Sequence, residues 1–162
     1  MNTQSKIIKI PTLKKKIYAL RKGRRKCKIA FTNGCFDILH LGHVSYLEEA
    51  KRSADILVVG LNSDRSVRKI KGPKRPIVGE RSRAGVLAAL ACVDHVVLFD
   101  EETPVKLIEA VKPDILIKGA DWKGKGAVGS EIVRANGGKV KFIKFVKGVS
   151  STNIINCIVK RA

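Results

Sequence analysis

Ile29-Ala30-Phe31-Thr32-Asn33-Gly34-Cys35-Phe36-Asp37-Ile38-Leu39-His40-Leu41-Gly42-His43 decides how this chain folds. The run opens apolar, breaks at Asn-Gly and resumes as the start of an amphipathic segment. It predicts a buried strand, a tight turn and a helix N-terminus. Positions i and i+3 share a helix face, so His40 and His43 point the same way. Gly42 lacks a Cβ, and a ligand can approach the backbone there. A strand-to-helix turn also offers free N–H groups and the positive end of a helix dipole. Two imidazoles and a set of backbone donors converging on one spot make a site for phosphate oxygens. A metal pair and a pair of capping or core imidazoles are the other readings. Zinc needs three or four ligands. The chain has one further histidine, His95, and Asp37 as an added candidate.

Working outward, apolar runs alternate with helical periodicity along the whole chain. Helices are predicted at 12–22 (Leu13, Ile17 and Leu20 inward), 41–53 (Val44, Leu47 and Ala50 inward), 64–69, 80–92 (Val86, Leu87, Leu90 and Ala91 inward), 104–111, 130–136 and 151–159. Strands are predicted at 27–32, 55–61, 95–99, 114–117 and 139–145. Thr103 reads as the cap of a helix opening on Pro104. Residues 71–76 and 119–129 read as loops from their Gly and Pro content. Five strands separated by helices imply an α/β fold, a doubly wound, five-stranded parallel sheet. Ligands bind such sheets beyond the carboxyl ends of the strands. Three segments should therefore meet at one rim: the turn at 33–43, Lys118-Gly119-Ala120-Asp121-Trp122, and Gly148-Val149-Ser150-Ser151-Thr152. The last places three hydroxyls at a helix N-terminus, as phosphate ligands or as an ordinary N-cap. Lys69, Lys71, Lys74 and Arg75 occupy a proline-containing loop after the second strand, either a solvated loop or a cationic flap.

Composition narrows the function classes. The 162 residues suffice for one core, and 44% hydrophobic with 29% charged residues is ordinary for a globular domain. No apolar run reaches 18 residues, and the N-terminus, with Lys6 and Lys9, lacks the apolar stretch of a signal peptide. The expectation is a cytoplasmic protein without a membrane partner. Cys27, Cys35, Cys92 and Cys157 form no Cys-x-x-Cys pair and read as reduced core thiols, Cys35 being set apart inside the turn. The net charge of +19 includes an acid-free N-terminus with Arg24, Arg25 and Lys26. Only 5% of residues are aromatic, so there is no stacking platform for a single strand and nucleic acid is a poor fit as partner. No Gly-x-x-x-x-Gly-Lys-Ser/Thr occurs, which excludes a P-loop, and no Gly-x-Gly-x-x-Gly follows the first strand, which speaks against a dinucleotide redox fold.

Thr32 through His43, with His40-x-Gly42-His43, resembles the signature of the cytidylyltransferase-like nucleotidyltransferases, the HxGH fold. Ser150-Ser151-Thr152 is similar to that superfamily's second motif. Val59–Val67, Ile70–Pro73, Arg75-Pro76, Arg83 through Asp94, Pro113–Asp121 and Ser151–Ile155 resemble the heptose 1-phosphate adenylyltransferases within it. The resemblance runs from about residue 28 to 160, with residues 1–26 as a basic helical extension and 27–162 as the catalytic domain. It departs at Ala120 and Trp122, where the adenylyltransferases read Lys-Gly-Gly-Asp-Tyr. Asp121-Trp122 is similar to glycerol-3-phosphate cytidylyltransferases, but Phe145 stands where those carry arginine, with Lys147 before Gly148.

The resemblance implies transfer of AMP from ATP to a sugar 1-phosphate, with Mg²⁺ carried on the nucleotide and no protein metal site. It implies His40, His43 and Lys71 as catalytic residues and Asp37 at the acceptor. It implies a nucleotide site of Asn33, Gly34, Cys35, Phe36, Gly42, Asn62, Arg83, Gly119, Asp121, Trp122, Ser150, Ser151 and Thr152. A homodimer and a separate upstream kinase chain are further expectations. The alternatives are a glycerol-3-phosphate-type cytidylyltransferase and a non-catalytic nucleotide or nucleic-acid binder.

Overall fold

Strand β1, Ile29–Gly34, lies at the centre of a five-stranded sheet of order β3-β2-β1-β4-β5, with every pairing parallel. The other strands are β2 (Ile56–Asn62), β3 (His95–Phe99), β4 (Ile115–Gly119) and β5 (Lys139–Ile143). The helices are α1 (Ile10–Gly23), α2 (Leu41–Lys51), α3 (Asp64–Lys71), α4 (Glu80–Ala89), α5 (Val105–Val111), α6 (Ser130–Ala135) and α7 (Ser151–Val159). This computed structural model describes residues 2–23, 27–146 and 148–161. Arg24, Arg25, Lys26 and Lys147 lie outside the described residues.

Alternation along the strands builds two cores. Ala30, Leu57, Val59, Leu61, Ile115 and Ile117 face one side, where Leu47 of α2 and Leu87 of α4 cover them. Ile29, Phe31, Val58 and Leu116 face the other, against Leu13 and Ile17 of α1, Leu107 and Ile108 of α5, and Val133 of α6. The sheet is thus covered on both faces, and its central strands read as unbroken apolar runs for that reason. The chain winds outward from β1 to β3, then returns through α5 to β4 on the other side of β1. The switch point between β1 and β4 opens a crevice at their carboxyl ends.

The N-terminal segment belongs to this packing. Ile8 N–H donates to the Val96 carbonyl (3.0 Å), and Lys6 Nζ donates to the Leu90 and Val93 carbonyls (3.0 and 2.8 Å) beyond α4.

Several element boundaries differ from expectation, each for a tertiary reason. β1 starts and ends two residues late. The Asp55 carboxylate accepts from Lys28 N–H and that of Asp114 from Ile29 N–H, holding the strand entry, while Asn33 and Gly34 still pair with Gly60 and Leu61. α3 runs through Lys71, and Gly72, at φ +92°, stops it, so Lys71 is held on a helix rather than in the loop. α4 ends at Ala89, and its inward face is Arg83, Ala84, Leu87 and Ala88. Val86 is half exposed and Ala91 exposed, because burial of the Arg83 side chain turns the helix away from the purely apolar phase. In α2, Tyr46 is buried and Val44 only half-buried. Pro104 is the N-cap of α5 and Val105 its first residue, one later than expected. β5 stops at Ile143, leaving Phe145 outside the sheet. Cys157 is exposed on α7, not a core thiol.

Candidate active site

The turn between β1 and α2 carries the histidines. His40 is the N-cap of α2 in extended conformation, and its side chain makes no capping bond. The imidazoles of His40 and His43 stack, with centroids 3.9 Å apart and planes 19° apart. The i, i+3 geometry expected from sequence is realised. The Nδ1 atoms of both rings are buried and have no protein partner among the described residues. Burial lowers both pKa values, and His43, which also faces His40 and Lys71, is pushed down to about 4. Both rings are therefore neutral at pH 7.

Backbone strain shapes the turn. Phe36 and Ile38 have φ of +45° and +50°, uncommon for residues with a side chain. The Phe36 ring folds back over Gly34, where a Cβ would meet it at 3.1 Å, and tilts against His43. Gly42 lines the cleft and has a second role besides the one its sequence suggested. The His40 ring lies over it, 3.1 Å from where a Cβ would be, so the glycine makes room for the imidazole.

A cleft of about 680 Å³ opens above this turn, and all three glycine-containing segments reach it, as expected. Asn33, Gly34, Cys35, Phe36, His40, Gly42 and His43 come from β1–α2, and Asn62 from the end of β2. Gly119 and Trp122 come from β4 and its following 3₁₀ turn, and Ser150, Ser151 and Thr152 from the start of α7. Lys71 lines the cleft from α3, while Lys69 does not and pairs with Glu102 of the cleft wall (4.0 Å). Burial raises the Cys35 thiol pKa, which disfavours a nucleophilic thiolate.

Four expected site residues have other bonds. Arg83 does not line the cleft. Its buried guanidinium donates to the carbonyls of Val78 (2.8 Å) and Cys35 and pairs with Asp64 (2.7 Å), so it supports the turn from beneath. The Asp37 carboxylate, almost fully buried, pairs with Arg75 (2.7 Å) and accepts the N–H groups of Ile77 and Val78. Burial opposes its ionisation, but those donors outweigh burial and hold its pKa below the ordinary value. It fastens the 75–78 segment to the histidine turn and has little left for an acceptor. Ser151 donates its hydroxyl to the Asp37 carbonyl, and Ser150 accepts from Asn153 N–H at 3.1 Å as a true N-cap. Thr152, which is exposed, alone of the three has no hydroxyl hydrogen bond to the described residues. Asp121 sits exposed beside the cleft rather than in it.

Two residues that sequence reasoning did not single out belong to the site. Lys118, 7% exposed, donates to Asn33 Oδ1 at 2.6 Å across the β1–β4 switch. Tyr46 bonds Thr32 at 2.8 Å and stacks on Phe145. The Phe145 ring and the Asp121 carboxylate fill the space a Cβ at 119 would need. A lysine in an otherwise apolar strand was the available signal for Lys118. Nothing in the sequence marked Tyr46.

His95 opens β3 at the amino end of the strands, away from the cleft, and cannot join His40 and His43. Among the described residues no group of three or more His, Cys, Asp or Glu could hold a metal, and no helix is long and apolar enough to cross a membrane.

A parallel sheet of order 3-2-1-4-5 with a phosphate-type turn at its switch point is a Rossmann-like ligand-binding domain. The chain belongs to the cytidylyltransferase-like family, which matches residues 31–156. It is 55% identical to the bifunctional protein HldE of Geobacter metallireducens over 144 residues, 89% of this chain and 29% of that protein. It is 60% identical to HldE of Campylobacter fetus over 86% of this chain and 30% of that protein. The chain thus spans about three tenths of the length of these curated relatives. Among solved structures, the lipopolysaccharide core biosynthesis protein from Thermoplasma volcanium is 35% identical with a TM-score of 0.63, over 76% of this chain and 100% of that one.

Proposed function

We propose that this chain transfers AMP from ATP to D-glycero-β-D-manno-heptose 1-phosphate, giving ADP-heptose and pyrophosphate for surface-glycan synthesis. The observation that carries the reading is the stacked His40–His43 pair at the uncapped start of α2, facing Lys71 and the start of α7 across one cleft. Every element there favours phosphate oxygens. The relatives named for two activities and for lipopolysaccharide core synthesis support the sugar-nucleotide assignment.

In this reading an oxygen of the sugar phosphate attacks the α-phosphorus of ATP, and the bond to the α–β bridging oxygen breaks, releasing pyrophosphate. The second pKa of a phosphate ester is about 6, so the nucleophile is already ionised and no general base is needed. The work of the site is alignment and charge relief. His40 and His43 donate to oxygens of the triphosphate as charge builds. Backbone N–H groups of Asn33–Phe36 and Gly42 hold the α-phosphate. Thr152 and the start of α7 take the β- and γ-phosphates, and Lys71 covers the transferring group. Asn62 and Gly119 complete the walls, and Trp122, with Asp121 beside it, borders the base. Mg²⁺ comes with the nucleotide. With the Asp37 carboxylate committed to Arg75, no group of three or more acidic, His or Cys side chains among the described residues would cage the ion, and the nucleotide's phosphates would hold it. The 1-phosphate comes from an upstream kinase. The chain acts in the cytoplasm as a homodimer, a state that light scattering checks.

A pyrophosphate-release screen of the four nucleoside triphosphates against a panel of phosphorylated acceptors tests the assignment. ATP with heptose 1-phosphate should give the fastest release. Preference for CTP with glycerol 3-phosphate, the reading that Asp121-Trp122 favours, would replace it. Salt-steep nucleic-acid binding without any release would replace both.

A further inference from the structure

Asn33 and Lys118 sit side by side at the carboxyl ends of β1 and β4. Phe31 pairs with Leu116, so the positions two residues on are level and point to the same face. The residues before Lys118 on β4 are apolar and buried, and Lys118 continues the strand as a cation only 7% exposed. Its Nζ donates to Asn33 Oδ1 at 2.6 Å and stands 5.9 Å from the centre of the Trp122 ring. Both partners are neutral. Two N–H bonds of the ammonium are left for the cleft that Lys118 lines.

Burying an ammonium without a counter-charge is costly, and a hydrophobic side chain at this position would cost nothing of the kind. The fold does not need the charge, since no backbone carbonyl or carboxylate of the described residues receives it. We propose that Lys118 is a phosphate-binding residue of this site: held by Asn33 at the β1–β4 switch, its ammonium is the buried positive charge that meets a phosphoryl oxygen of a substrate. This rests on the phosphate chemistry proposed above for the cleft. The oxygen belongs either to the nucleotide or to the phosphorylated acceptor. Burial pushes the pKa of Lys118 down to about 8, so the charge is present at neutral pH and disappears within an accessible range.

The test compares Lys118→Met, which keeps the stem and removes the charge, with wild type in equilibrium binding of ATP, inorganic tripolyphosphate, adenosine and glucose 1-phosphate. At pH 7 the variant should bind ATP and tripolyphosphate about 10- to 100-fold more weakly, the scale for a hydrogen bond to a charged group, and adenosine unchanged. The gap should shrink about tenfold or more by pH 9.5, as wild-type Lys118 loses its proton. His40, His43 and Tyr46 from α2, with Cys35 and Asp37 from the preceding turn, also face the cleft. So do Lys71 from α3 and Glu102 after β3, with Asp121 after β4 beside it. All are common to both proteins and cancel in the ratio.

A loss confined to glucose 1-phosphate supports the proposal with the acceptor as the source of the oxygen. Lys118→Arg should retain part of whichever affinity is lost, since it retains the charge. Equal binding of every phosphate ligand by Lys118→Met and wild type overturns the proposal. So does a loss that extends equally to adenosine, or one that is the same at pH 7 and pH 9.5, because either would mark a structural lysine. If wild type binds tripolyphosphate yet releases no pyrophosphate with any acceptor, the transfer reading fails, and the binding ratios still decide Lys118.

Discussion

The imidazoles of His40 and His43 stack at 3.9 Å, too close for both to carry a proton at little cost. Burial, the neighbouring ring and Lys71 hold His43 at about 4, and burial lowers His40 as well. An unfolded histidine binds its proton near 6.5. Between about 6.5 and 4 the unfolded chain therefore holds more protons than the folded one, and stability falls as pH drops through that window. Urea midpoints at pH 7, 5.5 and 4.5 should decline, and His43→Gln should flatten the decline. Asp37 acts in a separate, lower window, since its depressed pKa contributes stability that is lost only below its ordinary value of 3.8. A midpoint constant from pH 7 to 4.5 in wild type would mean the rings are not neutral in the folded protein.

His40→Ala and His43→Ala should each lower kcat by about 10²–10³-fold, the scale for losing one transition-state donor. KM should move much less. Stopped assays for pyrophosphate measure both, and full activity in either variant would remove that ring from the mechanism.

Lys71→Ala should reduce turnover more than ATP affinity if the lysine meets the transferring group only in the transition state. Because α3 holds Lys71 in place, the effect needs no loop closure. Equal losses in kcat and ATP binding would make it a ground-state contact. An unchanged rate would direct attention to Lys69 or Lys74.

Ser151 and Thr152 should separate. Ser151→Ala removes the bond to the Asp37 carbonyl that ties α7 to the histidine turn, and thermal stability should drop by about 1 kcal/mol. Thr152→Ala should leave stability alone and weaken ATP, not AMP, by a few-fold. Calorimetry and nucleotide titration read the two effects. The reverse pattern would exchange their roles.

Asp37→Asn leaves Arg75 facing a neutral partner in a site where the pair is almost fully buried. Breaking one side of such a pair costs about 3–5 kcal/mol. The denaturant midpoint should fall accordingly, and proteolysis should reach residues 72–79 first. Unchanged stability with a raised acceptor KM would return Asp37 to the acceptor site.

The sequence by itself determined the sheet, the place of the cleft and its principal motif. Strand and helix periodicities are local, and β1, the turn and the start of α2 are written in fifteen consecutive residues, so His40, Gly42 and His43 were legible together with the face they share. The convergence of three glycine-containing segments also followed from topology alone, because a parallel sheet brings every strand's carboxyl end to one rim. What only the tertiary structure decided is how each polar group is used. Arg83, Asp37 and Ser151 are committed to Asp64, Arg75 and a backbone carbonyl brought in from distant parts of the chain. Lys118 became a buried cation because β4 pairs beside β1 and sets it against Asn33. A residue's type states which bonds it can make. Which of them it does make depends on burial and on partners 19 to 114 residues away in the chain, and neither is written in the local pattern.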